Sequence, residues 1–185
     1  MNPTINDPYT HCPVYETSRF LLRLIEEADT SDLLDCYSDP LAAPFFNSDN
    51  CTSDFVYHTR EAMAGAVRFW IDSYTWRYFV RFTIVDKSTQ KAIGTIEFFN
   101  RGASEGFGEV GVLRLDLASA FERADAIAEM LAVIDTHFPA LFGVDCILTK
   151  AIPAAVERIR ALESAGYNAL PPKTIVPYND YYLRA

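Results

Sequence analysis

The sequence predicts an α+β fold, a mixed and mostly antiparallel sheet flanked by helices, in the order β-α-α-β-β-β-α-β-α-β. Three observations carry this. Residues 78–115 hold three runs rich in β-branched and aromatic residues, joined by short polar turns, which favours an antiparallel meander. Four other stretches repeat apolar residues at helical spacing. The last two of those stretches bracket a short apolar run at residues 145–150, which reads as a buried strand.

The elements follow in chain order. Residues 1–14 are polar and punctuated by proline, so residues 1–15 are expected to form an arm and residues 16–185 a single domain. Arg19 to Ile25 reads as a strand. Asp29-Thr-Ser-Asp32 starts a short helix carrying Leu33, Leu34 and Tyr37, and Ser38-Asp39-Pro40 stops it. Residues 38–58 form a long connection holding Phe45, Phe46, Phe55 and Tyr57. A connection of that length is unusual, and its aromatics suit a loop over a substrate cleft or one that covers the core. Thr59 is placed to cap the next helix, with Met63, Val67, Trp70, Ile71 and Tyr74 on its inner face. The meander strands are Tyr78–Val85, Lys91–Asn100 and Gly108–Leu115. Ser119-Ala-Phe-Glu122 matches a capping box and predicts a helix from Ser119, with Phe121, Ala124, Ala128, Leu131 and Ile134 inward. His137 is expected to close that helix before Phe138-Pro139. Pro153 suits the first turn of the last helix, whose inner face is Val156, Ile159 and Leu162 and which Gly166 ends. Tyr181–Arg184 makes a final strand.

Composition narrows the function. Half of the 185 residues are hydrophobic, which suits a compact domain, yet no apolar run approaches a membrane span. Residues 1–8 have neither the basic start nor the apolar stretch of a signal peptide. The net charge of −9, with no basic patch, argues against nucleic acid and anionic membranes as partners. The acids suit a cationic or amine substrate, or serve solubility. Cys12, Cys36, Cys51 and Cys146 form no Cys-x-x-Cys pair, and His11, His58 and His137 are scattered, so no metal site is expected. Reduced thiols and the absence of a secretion signal point to the cytoplasm.

Several phrases resemble one family. Glu16-Thr-Ser-Arg-Phe-Leu-Leu-Arg23 is similar to the opening strand of the ribosomal-protein-acetylating branch of the GNAT acetyltransferases. Leu33 to Pro40 resembles the helix that follows and its stop. Ile84 to Ile96 resembles the hairpin with its Ile-Gly-x-Ile element, and Ala165-Gly-Tyr167 the close of the last helix. They come in family order, and the similarity covers roughly residues 16–185. The resemblance implies acetyl-CoA as co-substrate, an amine acceptor on a small molecule or a protein N-terminus, and room for a homodimer.

It also implies a site. In the family a strand runs into a helix whose first backbone N–H groups hold the pyrophosphate, usually as R/Q-x-x-G-x-G/A. Here that stretch is Arg123, Ala124, Asp125 and Ala126, without glycine. Glu122 and Asp125 stand where a pyrophosphate meets like charge, at about 3 kcal/mol per unit pair at ~5 Å and an effective dielectric of ~20. Leu113, Arg114 and Leu115 would line the pantetheine arm, and Arg114 and Arg123 can reach phosphate or pair with Asp116 and Glu122. Ala155 and Leu162 replace the usual Asn and Tyr of the last helix. Glu109 and Glu97, each among apolar strand residues, are the candidate bases. The Tyr178, Tyr181 and Tyr182 cluster reads as sheet packing, with stacking or acid chemistry as the other option. Two functions follow: an acyl-CoA-dependent N-acyltransferase, including one with its cofactor in an altered pose, or a catalytically inactive relative that binds a small molecule or protein.

Overall fold

The computed structural model describes residues 7–185, so the first six residues of the expected arm lie outside the described residues. Strands β1 (Tyr15–Glu16), β2 (Phe20–Leu24), β3 (Val80–Asp86), β4 (Lys91–Ser104), β5 (Gly108–Leu117), β6 (Cys146–Lys150), β7 (Asn168–Ala169) and β8 (Tyr181–Arg184) form one sheet. Its spatial order is β1-β2-β3-β4-β5-β6-β8-β7. All neighbours are antiparallel except β5 and β6, which run parallel. Helices α1 (Thr30–Tyr37), α2 (Arg60–Thr75), α3 (Ala124–Phe142) and α4 (Val156–Ser164) complete the chain. The meander read from the sequence is β3–β5. β1 and β7 are two-residue strands, too short to carry a periodic signal.

Every residue of β3 is buried because helices cover both faces of the sheet. On one face Phe82, Ile96, Phe98 and Leu113 meet Ile127, Leu131, Ile134 and Phe138 of α3. Phe138 lies 5.2, 5.1 and 5.5 Å from the rings of Phe82, Phe98 and Phe142, contacts that add about 0.5–1.5 kcal/mol each beyond their burial. The other core, under α1 and α2, is built on Leu33, Tyr37, Met63, Val67 and Trp70. Thr59 caps α2 as expected, its Oγ1 accepting from the Ala62 N–H at 3.2 Å. Gly94, in the Ile-Gly-x-Ile element, has a steric reason. A Cβ there would lie 2.1 Å from the Asp116 carbonyl oxygen, which is backbone and cannot yield.

Four helix expectations are corrected. Ser119–Phe121 forms a single 3-10 turn, and α3 begins only at Ala124. The capping box fails because the Glu122 carboxylate turns instead to Arg158, at 2.8 and 2.7 Å. At its other end α3 runs past His137 and through Pro139 to Phe142, where Gly143 ends it at φ 62°. Phe138 and Phe142 are both core residues, and burying them carries the helix across the proline. Helix α4 starts at Val156, so Pro153 precedes it. Its inner face is Arg158, Ala161 and Leu162, while Val156 is exposed.

Candidate active site

The parallel pair makes the opening. β5 and β6 pair from Val110–Cys146 to Leu113–Thr149. β5 then continues to Leu117 against β4, while β6 continues to Lys150 against β8. The two strands part at their C-terminal ends, where ligands of parallel sheets ordinarily bind. The chain leaving β5 enters α3, so that helix start stands at the same opening.

The protein's own residues cross this gap. The Asp49 carboxylate accepts from Lys150 Nζ at 2.6 Å and from the Tyr181 hydroxyl at 3.1 Å, while its carbonyl oxygen accepts from Arg114 at 2.8 Å. Arg114 and Lys150 are the first residues beyond the paired stretch on β5 and β6, so Asp49 bridges the two strands where they diverge. The buried Asn47 amide donates to the same tyrosine hydroxyl at 3.2 Å. The segment is held upstream as well. The Asp39 carboxylate accepts from the Ser119 N–H at 3.0 Å, and the Phe45 carbonyl accepts from Arg158 at 3.2 Å. The long 38–58 connection thus bridges the cleft where β5 and β6 part, and its Phe46 and Phe55 cover the core under α1 and α2, as the second of its two readings expected.

At the start of α3 the charges are arranged differently from the expectation. Glu122 is neutralised by Arg158, and Asp125 by Arg19 at 2.7 Å and Arg123 at 3.3 Å. The carboxylate that reaches the helix start is Glu157 of α4, which accepts from the Ala124 N–H at 3.0 Å. A helix start leaves its first N–H groups without intrahelical acceptors. Those of Asp125 and Ala126 remain, flanked by the exposed Arg123 side chain. These groups fit a pyrophosphate once Glu157 gives way.

On the α1/α2 face the strands carry a charged ladder. Arg81 of β3, Glu97 of β4 and Arg114 of β5 stand directly opposite one another. Glu97, 1% exposed, is paired with Arg81 and with Arg114, the latter at 2.5 Å. The next row is Thr83, Thr95 and Asp116. Tyr37 donates to Asp116 at 2.9 Å, and Arg81 reaches Tyr37, Thr95 and Asp116 at 3.1, 3.0 and 3.4 Å. Burial pushes the Asp116 carboxyl up, against the pull of Arg81. Burial opposes the charge on Arg81, but Glu97, Tyr37 and Asp116 hold it firmly protonated. Its guanidinium lies 4.0 Å from the centre of the Trp70 ring. Arg81 Nε, Arg114 Nε and Asp116 Oδ1 are buried without a partner, so the network is not fully satisfied within the described residues.

A cavity of about 630 Å³ opens above this ladder. Phe55, Tyr57, Phe69, Trp70, Phe79 and Phe99 wall it, and Glu97 and Arg114 supply its charged groups. Asn50 and Cys51, which follow Asp49, line it too, so cavity and cleft meet at Arg114.

The predicted site residues divide between these parts. Glu97 and Arg114 come together in the cavity, and Leu113 and Leu115 flank Arg114 on β5. Arg123, Ala124, Asp125 and Ala126 stand at the α3 start. Arg114 and Arg123 do pair with carboxylates, but with Glu97 and Asp125 in place of Asp116 and Glu122. Glu109 lies at the other end of β5, five residues or about 17 Å along the strand from Arg114. Ala155 and Leu162 are buried, and Tyr167 is a core residue whose hydroxyl donates to Asp135 at 2.7 Å. Of the tyrosine cluster, Tyr181 enters the cleft by its hydroxyl, which burial pushes well above the usual phenol range. Sequence reasoning did not find Asn47, Asp49, Lys150 or Glu157. Arg81 was also missed, although an arginine inside the β-branched run of β3 was a visible signal.

Comparison with known proteins agrees with this layout. The description "Acetyltransferase (GNAT) domain" matches residues 19–168. No curated protein matches the sequence. Among solved structures, a GNAT-family acetyltransferase from Bacillus anthracis superposes with a TM-score of 0.67 at 13% identity, over 93% of this chain and 98% of that one. A ribosomal-protein-S5-alanine acetyltransferase from Vibrio fischeri gives 0.62 at 17%, over 92% and 94%. RimL, a ribosomal L7/L12 alpha-N-protein acetyltransferase solved with coenzyme A, gives 0.67 at 12%, over 93% and 97%. With the family description covering most of its length and the parted β5–β6 pair leading into α3, the chain belongs to the GNAT acetyltransferase family.

Proposed function

We propose that this single domain, residues 16–185, is an N-acyltransferase that takes its acyl group from acetyl-CoA at the β5–β6 opening and delivers it to an amine held in the aromatic cavity. The observation that carries this reading is that the two spaces meet at one side chain, Arg114, beside the cavity's one acidic lining residue, Glu97. Family membership favours the enzyme over a catalytically inactive relative. The cytoplasm is the proposed setting, in line with four free thiols.

Acetyl-CoA supplies an acyl carbon activated as a thioester. The chain's residues supply position and proton transfer. Arg123 and the N–H groups of Asp125 and Ala126 receive the pyrophosphate, drawing also on the partial positive charge of the helix start. The edge of β5 around Leu113, Arg114 and Leu115 lines the arm that leads to the thioester. Glu97 accepts the proton of the acceptor ammonium, directly or through a water, so that the free amine can attack the acyl carbon; the C–S bond would then break, and the departing thiolate would take up the second proton shed by the nitrogen, giving amide and free thiol. Arg81 and Arg114 fix the Glu97 carboxylate in place. Glu109 is too far along β5 to share this task in the same site.

The test is calorimetric titration with acetyl-CoA and CoA, followed by thiol release with a panel of amines. Micromolar binding and amine-dependent thiol release are expected. Glu97→Gln should lower kcat about 10²- to 10⁴-fold, the usual worth of a positioned base, while CoA affinity stays within a few-fold. Absence of binding at millimolar CoA would refute the proposal.

A further inference from the structure

The cavity's chemistry says more about the acceptor. Its volume of about 630 Å³ lies within the range of small-molecule sites. Its walls are mostly aromatic, so an occupant gains chiefly by burying an apolar or ring-shaped body. Its one lining carboxylate is already paired. Each Glu97 oxygen accepts from a guanidinium, one from Arg81 and one from Arg114. Three of the cavity's rings already face the Arg81 cation. The Arg81 guanidinium lies 4.0 Å from the Trp70 ring centre and within 5.5 and 5.7 Å of Phe55 and Phe79. One ammonium can still reach the free lone pairs of Glu97. A second would be buried beside two arginines with no carboxylate left for it, which is costly.

Resting on the acyltransferase reading above, we infer that the acceptor is a small monoamine with an aromatic or bulky apolar body, and not a polyamine or a lysine-rich peptide. The protein's net charge of −9 would suggest the opposite, but the local charge at the cavity overrides it. The amine nitrogen lies toward Glu97 and Arg114, beside the cleft, and the body lies among the rings toward Phe69. Phe69 is 54% exposed, which places it at the cavity's mouth.

Calorimetry with 2-phenylethylamine, butylamine and spermidine tests this without any turnover. The inference expects 2-phenylethylamine to bind at least tenfold more tightly than the other two. Phe69→Ala, at a half-exposed position, should weaken that binding about five- to tenfold. Equal affinities, or tighter spermidine, would overturn it. Thiol release from acetyl-CoA then separates the two readings. Release with spermidine or a lysyl peptide but not with 2-phenylethylamine would overturn the acceptor class and leave the acyltransferase standing. Binding of 2-phenylethylamine with thiol release from no amine would overturn the acyltransferase reading, and the acceptor role with it.

Discussion

Replacing Asp49 by alanine should make the protein bind CoA more tightly. Asp49 holds the 38–58 connection across the opening through Lys150 and Tyr181, at 2.6 and 3.1 Å. Its carboxylate and the Lys150 ammonium are 16% and 20% exposed, so the pair is largely shielded from water. A charge-assisted hydrogen bond of this kind contributes about 1.5–3 kcal/mol. If CoA enters only when the segment lifts, that sum is subtracted from every binding event. Its removal strengthens apparent affinity by about 10- to 150-fold. The Arg114 bond to the Asp49 carbonyl survives the change, so the lower end is expected. The unpaired Lys150 would also attract phosphate, and a second variant separates that effect. Asn47→Ala removes one neutral bond across the opening, to Tyr181, and one within the loop, from the Asp49 N–H, and alters no charge, so it should gain only about two- to tenfold. Calorimetric titration with CoA at fixed ionic strength reads both. If both variants bind CoA no better than the parent, the segment does not compete with CoA and the argument fails.

Glu157→Ala frees the Ala124 N–H and removes one negative charge from the start of α3. At ~5 Å and an effective dielectric of ~20, a unit pair costs about 3 kcal/mol, so CoA affinity should rise by up to about 100-fold at low salt and by less as salt is added; an unchanged dissociation constant would show that pyrophosphate binds elsewhere. Glu129 ties the strand-opening residues Ser18 and Arg19 to α3. Burial opposes its charge, but bonds from Thr17, Arg19 and Ser18 prevail and hold its carboxyl at about 2, below the ordinary 4.5. A depressed value stabilises the fold above pH ~4.5, and that contribution is lost as pH falls toward ~2. Glu129→Gln should therefore lower the urea midpoint at pH 7, with the deficit shrinking between pH 4.5 and 2; a deficit that stays constant from pH 6 to pH 3 would contradict this assignment.

Local signals in the sequence located most elements, because each depends on residues near one another in the chain. Thr59 with its 63-67-70 stripe, and the polar turns of the meander, are signals of that kind. The failures arise where a distant partner competes. Ser119 and Glu122 match a capping box, yet Arg158, 36 residues further on, takes the Glu122 side chain, and α3 starts five residues late. Arg158 itself is buried at a position that helical periodicity assigns to an apolar residue. The same limit applies to the site. Glu97 and Glu109 look equivalent in sequence, each a carboxylate among apolar strand residues. Only the register places Glu97 between two arginines and leaves Glu109 at the far end of its strand. Asp49 lies in a loop that follows Pro40 and Pro44, and Glu157 on a charged helix turn, and nothing local marks either as a group that reaches the opening or the start of α3.

Arg114 is where these parts become one device. One of its terminal nitrogens is committed to Glu97 in the cavity and the other to the Asp49 carbonyl in the cleft, while its Nε is buried without a partner. A buried guanidinium that is only partly satisfied is poised to change partners, because each lost bond leaves a costly charge and each new acceptor is rewarded. Any displacement of the 38–58 connection would break the Arg114 bond to the Asp49 carbonyl. Arg114 would then have two nitrogens to offer an oxygen at the opening, while its bond to Glu97 would keep the carboxylate in place. One side chain therefore ties the 38–58 connection to the carboxylate of Glu97.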